Sequence, residues 1–205
     1  MTLPFIDDDD IYHRADIFLH EYHPSYLCPI PIEEIAEVKL GLFILPVKNL
    51  ETKCEIDGSI SRDFKTILID EKVYLHQDDR ARFTLAHEVG HYILHKSLFE
   101  KNHSITTIED FVDFQNSLSY KDWQRIEIQA YRFAEEILFP KAVFRDVVEQ
   151  EVKRLGGLDK LTITDLSTLG KKIKKVFHVS NGASYSKLRR EFSLIIEKAQ
   201  SNIPF

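Results

Sequence analysis

The sequence predicts an α+β fold in which a small β-sheet packs against a buried helix and a helical subdomain follows. Between residues 42 and 70, three short segments are rich in β-branched and apolar residues and are separated by turn-forming residues. On both sides of them, apolar residues recur at helical spacing, and beyond Pro140 the patterns are helical only. We therefore expect one sheet early in the chain and helices alone at its C-terminal end.

Length and composition are those of an ordinary globular domain. The 205 residues suit one domain, 1–205, made of a core at 11–140 and a C-terminal helical subdomain at 141–205. The net charge of −6 argues against a chain that binds nucleic acid over its whole surface. No apolar run has the length of a signal peptide or a membrane span. Cys28 and Cys54 have no metal-binding spacing, so we expect a cytoplasmic protein with reduced thiols and without a membrane partner.

The first part of the chain is predicted to contain two helices followed by the sheet. Residues 11–22 have helical spacing of apolar residues, and Pro31 suits the first position of a second helix that ends near Lys39. The predicted strands are Leu42–Val47, Cys54–Ser61 and Thr66–Asp70. We expect an antiparallel or mixed sheet with an edge strand that accepts an extended peptide by main-chain hydrogen bonding.

The most informative stretch is R-F-T-L-A-H-E-V-G-H-Y-I-L-H at residues 82–95, which follows the helix-starting acids Asp78-Asp79. It contains H-E-x-x-H, and residues four apart on a helix are only about 40° apart around its axis. His87 and His91 can therefore bind one ion. Glu88, turned by about 100° from His87, is placed to contact a water molecule rather than the ion. This arrangement is typical of a zinc hydrolase.

H-E-x-x-H is a short pattern, and an amphipathic surface helix can carry it by chance. The residues around it favour the metal interpretation. Leu85, Val89 and Ile93 leave the helix little polar circumference, which predicts that it is buried. Two histidines and a glutamate buried there need compensation, and a cation supplies it directly.

A third ligand is expected from another segment, because catalytic zinc keeps three protein ligands and one open position. The next helical pattern runs from about Asp122 to Phe139. In a projection of that helix, Glu127 lies at about +60°, inside the apolar stripe, whereas Glu135 and Glu136 lie outside it, at about +140° and −120°. Glu127 is therefore the predicted ligand, with a buried salt bridge to an arginine as the alternative, and Glu135 and Glu136 are predicted to be solvated.

Two motifs together resemble the ImmA/IrrE family of metallopeptidases. They are residues 82–95 and the sequence E-I-Q-A-Y-R-F-A-E-E-I-L-F-P at residues 127–140. The second family motif is approximately E-x-x-A-x-x-F-A-x-x-L-L-x-P. Residues 31–42 are similar to the N-terminal segment of the family, and residues 177–189 are similar to its C-terminal segment.

The resemblance implies a zincin-like metallopeptidase core with zinc bound by His87, His91 and Glu127 and with Glu88 as general base. The helix projections lead to the same four residues. In the family the substrates are often repressors or regulators encoded nearby, so a protein substrate of that kind is implied. The alternative is a non-proteolytic regulatory protein that keeps the zinc fold and acts by binding a repressor or DNA. An intact Glu88 favours the enzyme, since a pure binding protein needs no base.

Two regions outside the motifs carry secondary predictions. The connection at residues 96–120 is long for a compact domain, and we expect a short helix near 108–114 and a loop over the cleft. His103 and Tyr120 could each donate to an oxyanion, but no spacing supports either, and we favour loop residues without a catalytic role.

The segment from Lys153 to Arg190 is rich in basic residues, with only Asp159 and Asp165 to oppose them. Its pattern resembles a helix-turn-helix, and DNA contact is one interpretation. We favour a solvated or protein-docking face and do not expect direct nucleic-acid binding.

Overall fold

The computed structural model describes residues 6–100 and 119–201, and its central feature is a pair of long helices packed against each other. Helix α5 is Asp78–Glu100 and helix α6 is Tyr120–Leu138. Ser119 caps the start of α6, where its hydroxyl accepts a hydrogen bond from the Asp122 amide, and Pro140 follows its end. The predictions of a helix that begins at Asp78-Asp79 and of a second one over 122–139 are confirmed.

The two helices approach closely at a glycine. A Cβ atom on Gly90 would lie 2.9 Å from the carbonyl oxygen and 3.1 Å from the Cα atom of Ala130. Because only a residue without a side chain fits there, the backbones of α5 and α6 come close enough for side chains on both to meet.

The N-terminal part of the chain surrounds these helices. Helix α1, Asp8–Tyr22, packs on α6, and helix α2, Ile32–Glu34, continues into a π-helical turn at Ile35–Lys39. The strands are β1 Phe43–Val47, β2 Gly58–Ile60 and β3 Thr66–Asp70. Helix α3, Leu50–Cys54, lies between β1 and β2, and helix α4, Glu71–His76, follows β3.

The sheet has the order β1-β3-β2, with β1 parallel and β2 antiparallel to the central β3. Ile67 and Ile69 of β3 are fully buried, and β2 and β3 pack against α5. The prediction of a mixed sheet is confirmed, but the predicted strand Cys54–Ser61 is too long. Its first residue, Cys54, is the last residue of helix α3, and Glu55 after it takes a left-handed conformation with φ of 58°.

Between residues 141 and 201, the C-terminal part consists of helices alone, as predicted. They are α7 Lys141–Arg154, α8 Ile163–Phe177, α9 Asn181–Glu191 and α10 Ser193–Ser201, with a 3₁₀ turn at Leu158–Lys160. Phe139, Phe144 and Phe177 meet with ring centroids 5.3–5.7 Å apart and join α7 and α8 to the end of α6. With the small sheet and the α5–α6 pair, these helices give the α+β, zincin-like fold that the sequence predicts.

The prediction that Glu135 and Glu136 are solvated is wrong. Their exposed fractions are 0% and 4%, and α9 supplies cations to both. Arg190 pairs with both carboxylates, and Lys187 pairs with Glu136. The projection of one helix finds its apolar stripe, but it cannot reveal that a second helix covers the polar side with matching charges.

Within residues 6–100 and 119–201, none of the helices has the length and apolar character needed to span a lipid bilayer. The short helix expected near 108–114 and the residue His103 lie outside the described residues.

Candidate metal centre

The histidines of H-E-x-x-H lie one turn apart on α5 and face the same space. Their Nε2 atoms are 3.1 Å apart, and both side chains are largely buried. The helical spacing alone produces this convergence, since residues i and i+4 share a face.

Glu127 of α6 completes the group from the facing helix. Its Oε2 atom lies 3.1 Å from Nε2 of His87, and its Oε1 atom lies 3.6 Å from Nε2 of His91. The donor atoms of the three residues all lie within 4.8 Å of one another. The close approach of the helices at Gly90 makes this contact possible.

The donors have the chemistry and spacing of a zinc site. Atoms bound at 2.0–2.2 Å around a tetrahedral centre lie about 3.3–3.6 Å from one another. The separation of 3.6 Å between Oε1 of Glu127 and Nε2 of His91 falls in that range, and the 3.1 Å between the two imidazole nitrogens is slightly shorter. Two imidazole nitrogens and one carboxylate are also a common ligand set of catalytic zinc. The residues present therefore fit a zinc ion, and in the parts of the chain described they form the one group of this kind.

The electrostatics of the site favour a negatively charged Glu127. Burial by itself raises the pKa of this carboxyl group, but the contacts with His87 and His91 outweigh burial and the net shift is downward. The contact with Glu127 has the opposite effect on the pKa of His87. Burial lowers the pKa of that ring, and the neighbouring carboxylates of Glu127 and Glu88 raise it overall. Glu127 therefore supplies a carboxylate that attracts positive charge to the site.

Glu88 is buried beside the donors but is not one of them. Its exposed fraction is 5%, and its Oε2 atom accepts a hydrogen bond of 2.7 Å from the main-chain N–H of Ile60 in β2. Burial is the main cause of the raised pKa of Glu88. The edge of the sheet thus holds a carboxylate of increased basicity next to the three donors.

The donors and Glu88 open into a cleft of about 740 Å³ between β2 and the two long helices. Phe83 and Trp123 contribute aromatic walls, and residues 55–62 form the opposite side. The cleft therefore has aromatic side chains on one side and the strand edge on the other.

Tyr120, one of two residues considered as oxyanion donors, is not among the residues that line the cleft. It is 77% exposed at the start of α6, and its hydroxyl accepts a hydrogen bond from the side-chain amide of Gln124. This position agrees with the favoured interpretation that Tyr120 has no catalytic role.

Two residues beside the donors were not predicted to have a role. His95 lies one turn after His91 and is 2% exposed, and its Nδ1 atom is 3.1 Å from Nδ1 of His91. Gln129 of α6 lies 3.1 Å from the other nitrogen of His95. Burial lowers the pKa of His95 to about 3. The i, i+4 step from His91 to His95 was visible in the sequence, but the partner on α6 was not.

With this geometry in view, the comparison with protein families is decisive. The model of the IrrE N-terminal-like domain, a peptidase family designated M78, matches residues 49–189, which is more than half of the chain. The chain belongs to this family.

Membership in the IrrE N-terminal-like family confirms the resemblance found in the sequence and indicates a metallopeptidase-type protein. The matched region contains β2, β3 and both helices of the metal centre, and it ends within α9. The proposed N-terminal family segment, residues 31–42, lies before the matched region and stays a prediction. No curated protein matches the chain.

Proposed function

We propose that the protein is a cytoplasmic, zinc-dependent endopeptidase that cleaves a protein substrate. His87, His91 and Glu127 would hold the metal, and Glu88 would act as general base. The proposal rests on one observation. His87, His91 and Glu127, whose side chains are of the kinds that bind metal ions, converge next to the buried carboxylate of Glu88, which is not one of the three.

The chemistry needs a cation and a base in separate roles. A bound zinc ion supplies Lewis acidity, which polarises a scissile carbonyl and makes a water molecule more acidic. Glu88 accepts the proton of that water and returns it to the leaving amine. The raised pKa of Glu88 supports this role, because a base works best when its pKa is near the operating pH.

The main chain of β2 holds Glu88 in place. Ile60 donates its N–H to one carboxylate oxygen, so the other oxygen is left for the water. This contact also orients the base relative to the strand that borders the cleft, and a substrate aligned on the strand would be aligned with the base.

The outer edge of β2 is the proposed binding site for the substrate backbone. In an antiparallel pair, successive residues direct their N–H groups alternately toward and away from the partner strand. Ser61 donates to Thr66 of β3, whereas Ile60 donates away from β3, and by alternation Gly58 points outward as well. The N–H of Ile60 is donated to Glu88, so the outward main-chain groups of Gly58 are the ones proposed to pair with an extended segment.

Gly58 is needed for this placement of the strand. A Cβ atom there would lie 2.5 Å from the Cγ2 atom of Thr84 on α5 and 3.0 Å from the carbonyl oxygen of Leu68. The absence of a side chain lets β2 lie directly against the metal helix. The substrate is proposed to be a repressor or regulator encoded nearby, as the family resemblance implies.

The test is incubation of the purified protein with the product of the neighbouring regulatory gene, with zinc or with a chelator, followed by intact-mass spectrometry. Cleavage by the zinc-loaded protein that the chelator abolishes is the expected result. Intact substrate in both samples, with zinc bound to the protein, would contradict the proposed substrate.

Glu88→Gln is the variant that tests the mechanism. We expect it to retain zinc and its fold while hydrolysis falls by about 100-fold or more, because the amide cannot accept the proton. Zinc content and fragment masses are the two measurements. A loss of zinc equal to that of His87→Ala would show that Glu88 is a ligand. A full biological effect of Glu88→Gln would favour the non-proteolytic alternative.

A further inference from the structure

A chain of polar contacts runs from the main chain of the N-terminal segment to the metal centre. The side-chain amide of Gln129 donates to the carbonyl oxygen of Ile6 over 3.1 Å. Its Oε1 atom lies 3.1 Å from Nε2 of His95. Nδ1 of His95 then lies 3.1 Å from Nδ1 of His91. Gln129 and His95 are both buried, so each polar atom depends on these partners.

The first member of the chain fixes the direction of every hydrogen bond. A carbonyl oxygen only accepts, so the amide nitrogen of Gln129 must face Ile6 and its oxygen must face His95. That oxygen also only accepts, so Nε2 of His95 carries the proton. In an imidazole with its one proton on Nε2, the other nitrogen is an acceptor, and Nδ1 of His95 faces Nδ1 of His91. Nδ1 of His91 must then donate to it.

The consequence for His91 is a defined tautomer. With its proton on Nδ1, the lone pair lies on Nε2, and this is the atom 3.1 Å from Nε2 of His87 and 3.6 Å from Oε1 of Glu127. Only a nitrogen with a free lone pair binds a metal.

We infer that His95 and Gln129 are positioning residues, which hold His91 in the Nδ1–H tautomer and so keep its Nε2 lone pair directed into the metal centre. The inference rests on the metal site of the proposed function. In most metal sites, a carboxylate or a carbonyl oxygen accepts the N–H of the ligating histidine, and here His95 would be that acceptor. Loss of such an acceptor lowers metal affinity by about 10–100-fold.

The simpler account is that His95 and Gln129 only satisfy each other in the core. The two accounts differ in what they predict for His91 before any metal is added. If the contacts are mere packing, the tautomer of His91 in the zinc-free protein is not controlled by His95. If the chain of contacts acts as described, the tautomer is set in advance.

The direct experiment is a long-range proton–nitrogen NMR correlation spectrum of the full chain, labelled with ¹⁵N-histidine and freed of zinc. We expect His91 to carry its proton on Nδ1 and His95 to carry its proton on Nε2. A wild-type spectrum with the His91 proton on Nε2 would overturn the inference. This measurement does not depend on zinc binding or hydrolysis, so it remains valid if the proposed function fails.

Two substitutions of His95 add a measurement of affinity. His95→Leu keeps the volume but removes the acceptor, and His95→Asn places an oxygen near the position of Nδ1. We expect zinc affinity, measured by competition with a fluorescent chelator, to fall by about 10–100-fold in His95→Leu and to remain within about threefold in His95→Asn.

Folding of both variants is checked by circular dichroism. A folded His95→Leu variant with wild-type zinc affinity would overturn the inference, and so would equal losses in the two variants. If His95→Leu does not fold, the spectrum of the wild-type protein decides alone.

Discussion

Glu127 is the residue that links the two helices of the metal centre through one side chain. Its oxygens contact both histidines of α5, and no other carboxylate in the described residues shares that position. A neutral amide at this place would keep the shape but lose the charge that balances a cation.

Glu127→Gln is therefore expected to weaken zinc binding by about 10-fold or more, since even partners that only contact a ligand contribute that much. Chelator competition measures the change. The matched control is Glu149→Gln, an exposed carboxylate on α7 that pairs with Arg145. Glu135 is not a suitable control, because it is buried against Arg190 and its loss would disturb the fold. Equal zinc affinity of Glu127→Gln and the wild-type protein would refute the assignment of the third ligand.

The residue-level predictions relied on local information. His87, His91 and Glu127 meet as expected, because the first two share a helix face and the third lies inside the apolar stripe of its own helix. Gln129 and Ile6 are 123 positions apart in the chain, and no periodicity connects them. The contact with His95 could therefore be found only from the folded structure.

At the scale of elements, the close packing of α5 against α6 determines whether Glu127 can reach His87 and His91. We call this contact, at Gly90 and Ala130, the seam. Gly90 lies between Glu88 and His91 on one side, and Ala130 lies next to Gln129 on the other. The obstacle to a Cβ atom at Gly90 is backbone, which cannot move aside as a flexible side chain would.

Gly90→Ala is expected to lower the free energy of unfolding by about 1–3 kcal/mol through overpacking. It should also weaken zinc binding, because separation of the helices moves Glu127 away from the histidines. Thermal denaturation and chelator competition measure the two effects. The control is Gly170→Ala in α8, where nothing lies within 4 Å of the added atom and a gain of up to about 1 kcal/mol is expected. A Gly90→Ala variant as stable as the control would contradict the close packing of the seam.

Element types followed from composition more reliably than element boundaries. The segment Cys54–Ser61 has the residues of a strand, yet strand β2 itself is only Gly58–Ile60. Asn49 and Glu55 both take left-handed conformations and enclose a helical turn between them. Neither is a glycine, so the local sequence carried little sign of these two turns.

On the scale of the whole molecule, a buried cluster of charges joins helix α9 of the C-terminal part to helix α6, which carries Glu127. Lys187 is fully buried and pairs with Glu136 of α6 and with Glu191 of its own helix. Burial raises the pKa of Glu136, and Lys187 opposes that shift as the nearest cation. Removal of the Lys187 cation would leave Glu136 and Glu191 in the interior with Arg190 as the one cation described near both.

Lys187→Met is expected to cost about 3–5 kcal/mol of unfolding free energy, the usual consequence of breaking a buried ion pair on one side. Chemical denaturation measures it. Lys171→Met, an exposed lysine on α8, is the control and should change stability by no more than about 0.5 kcal/mol. A cost below about 1 kcal/mol for Lys187→Met would mean that the cluster does not hold α9 on α6.

Ion pairs reduce the positive charge that the basic segment from Lys153 to Arg190 presents at the surface. Four of its cations have acidic partners in space: Arg154 with Glu151, Lys174 with Asp79, Lys187 with Glu136 and Arg190 with Glu135. Three of these acids come from α5 and α6, outside the segment, so the charge counted along the chain overstates the charge of the surface. Besides Arg154 and Lys174, which are exposed as well, the exposed basic residues of the segment are Lys153, Lys160, Lys171, Lys172, Lys175 and Arg189.

We therefore expect duplex DNA to bind more weakly than micromolar at near-physiological salt. The net charge of −6 opposes approach, and each phosphate contact that did form would be weakened further by salt. Fluorescence anisotropy with random-sequence duplex DNA measures the affinity of the wild-type protein and of a triple variant with Lys171, Lys172 and Lys175 changed to Glu. Lys174 is left intact, because its pairing with Asp79 of α5 makes it structural.

Micromolar or tighter binding that the triple variant loses would show that this face contacts DNA. Equally weak binding by both proteins would leave the exposed lysines as a solvated or protein-docking surface, consistent with a peptidase whose target is a protein.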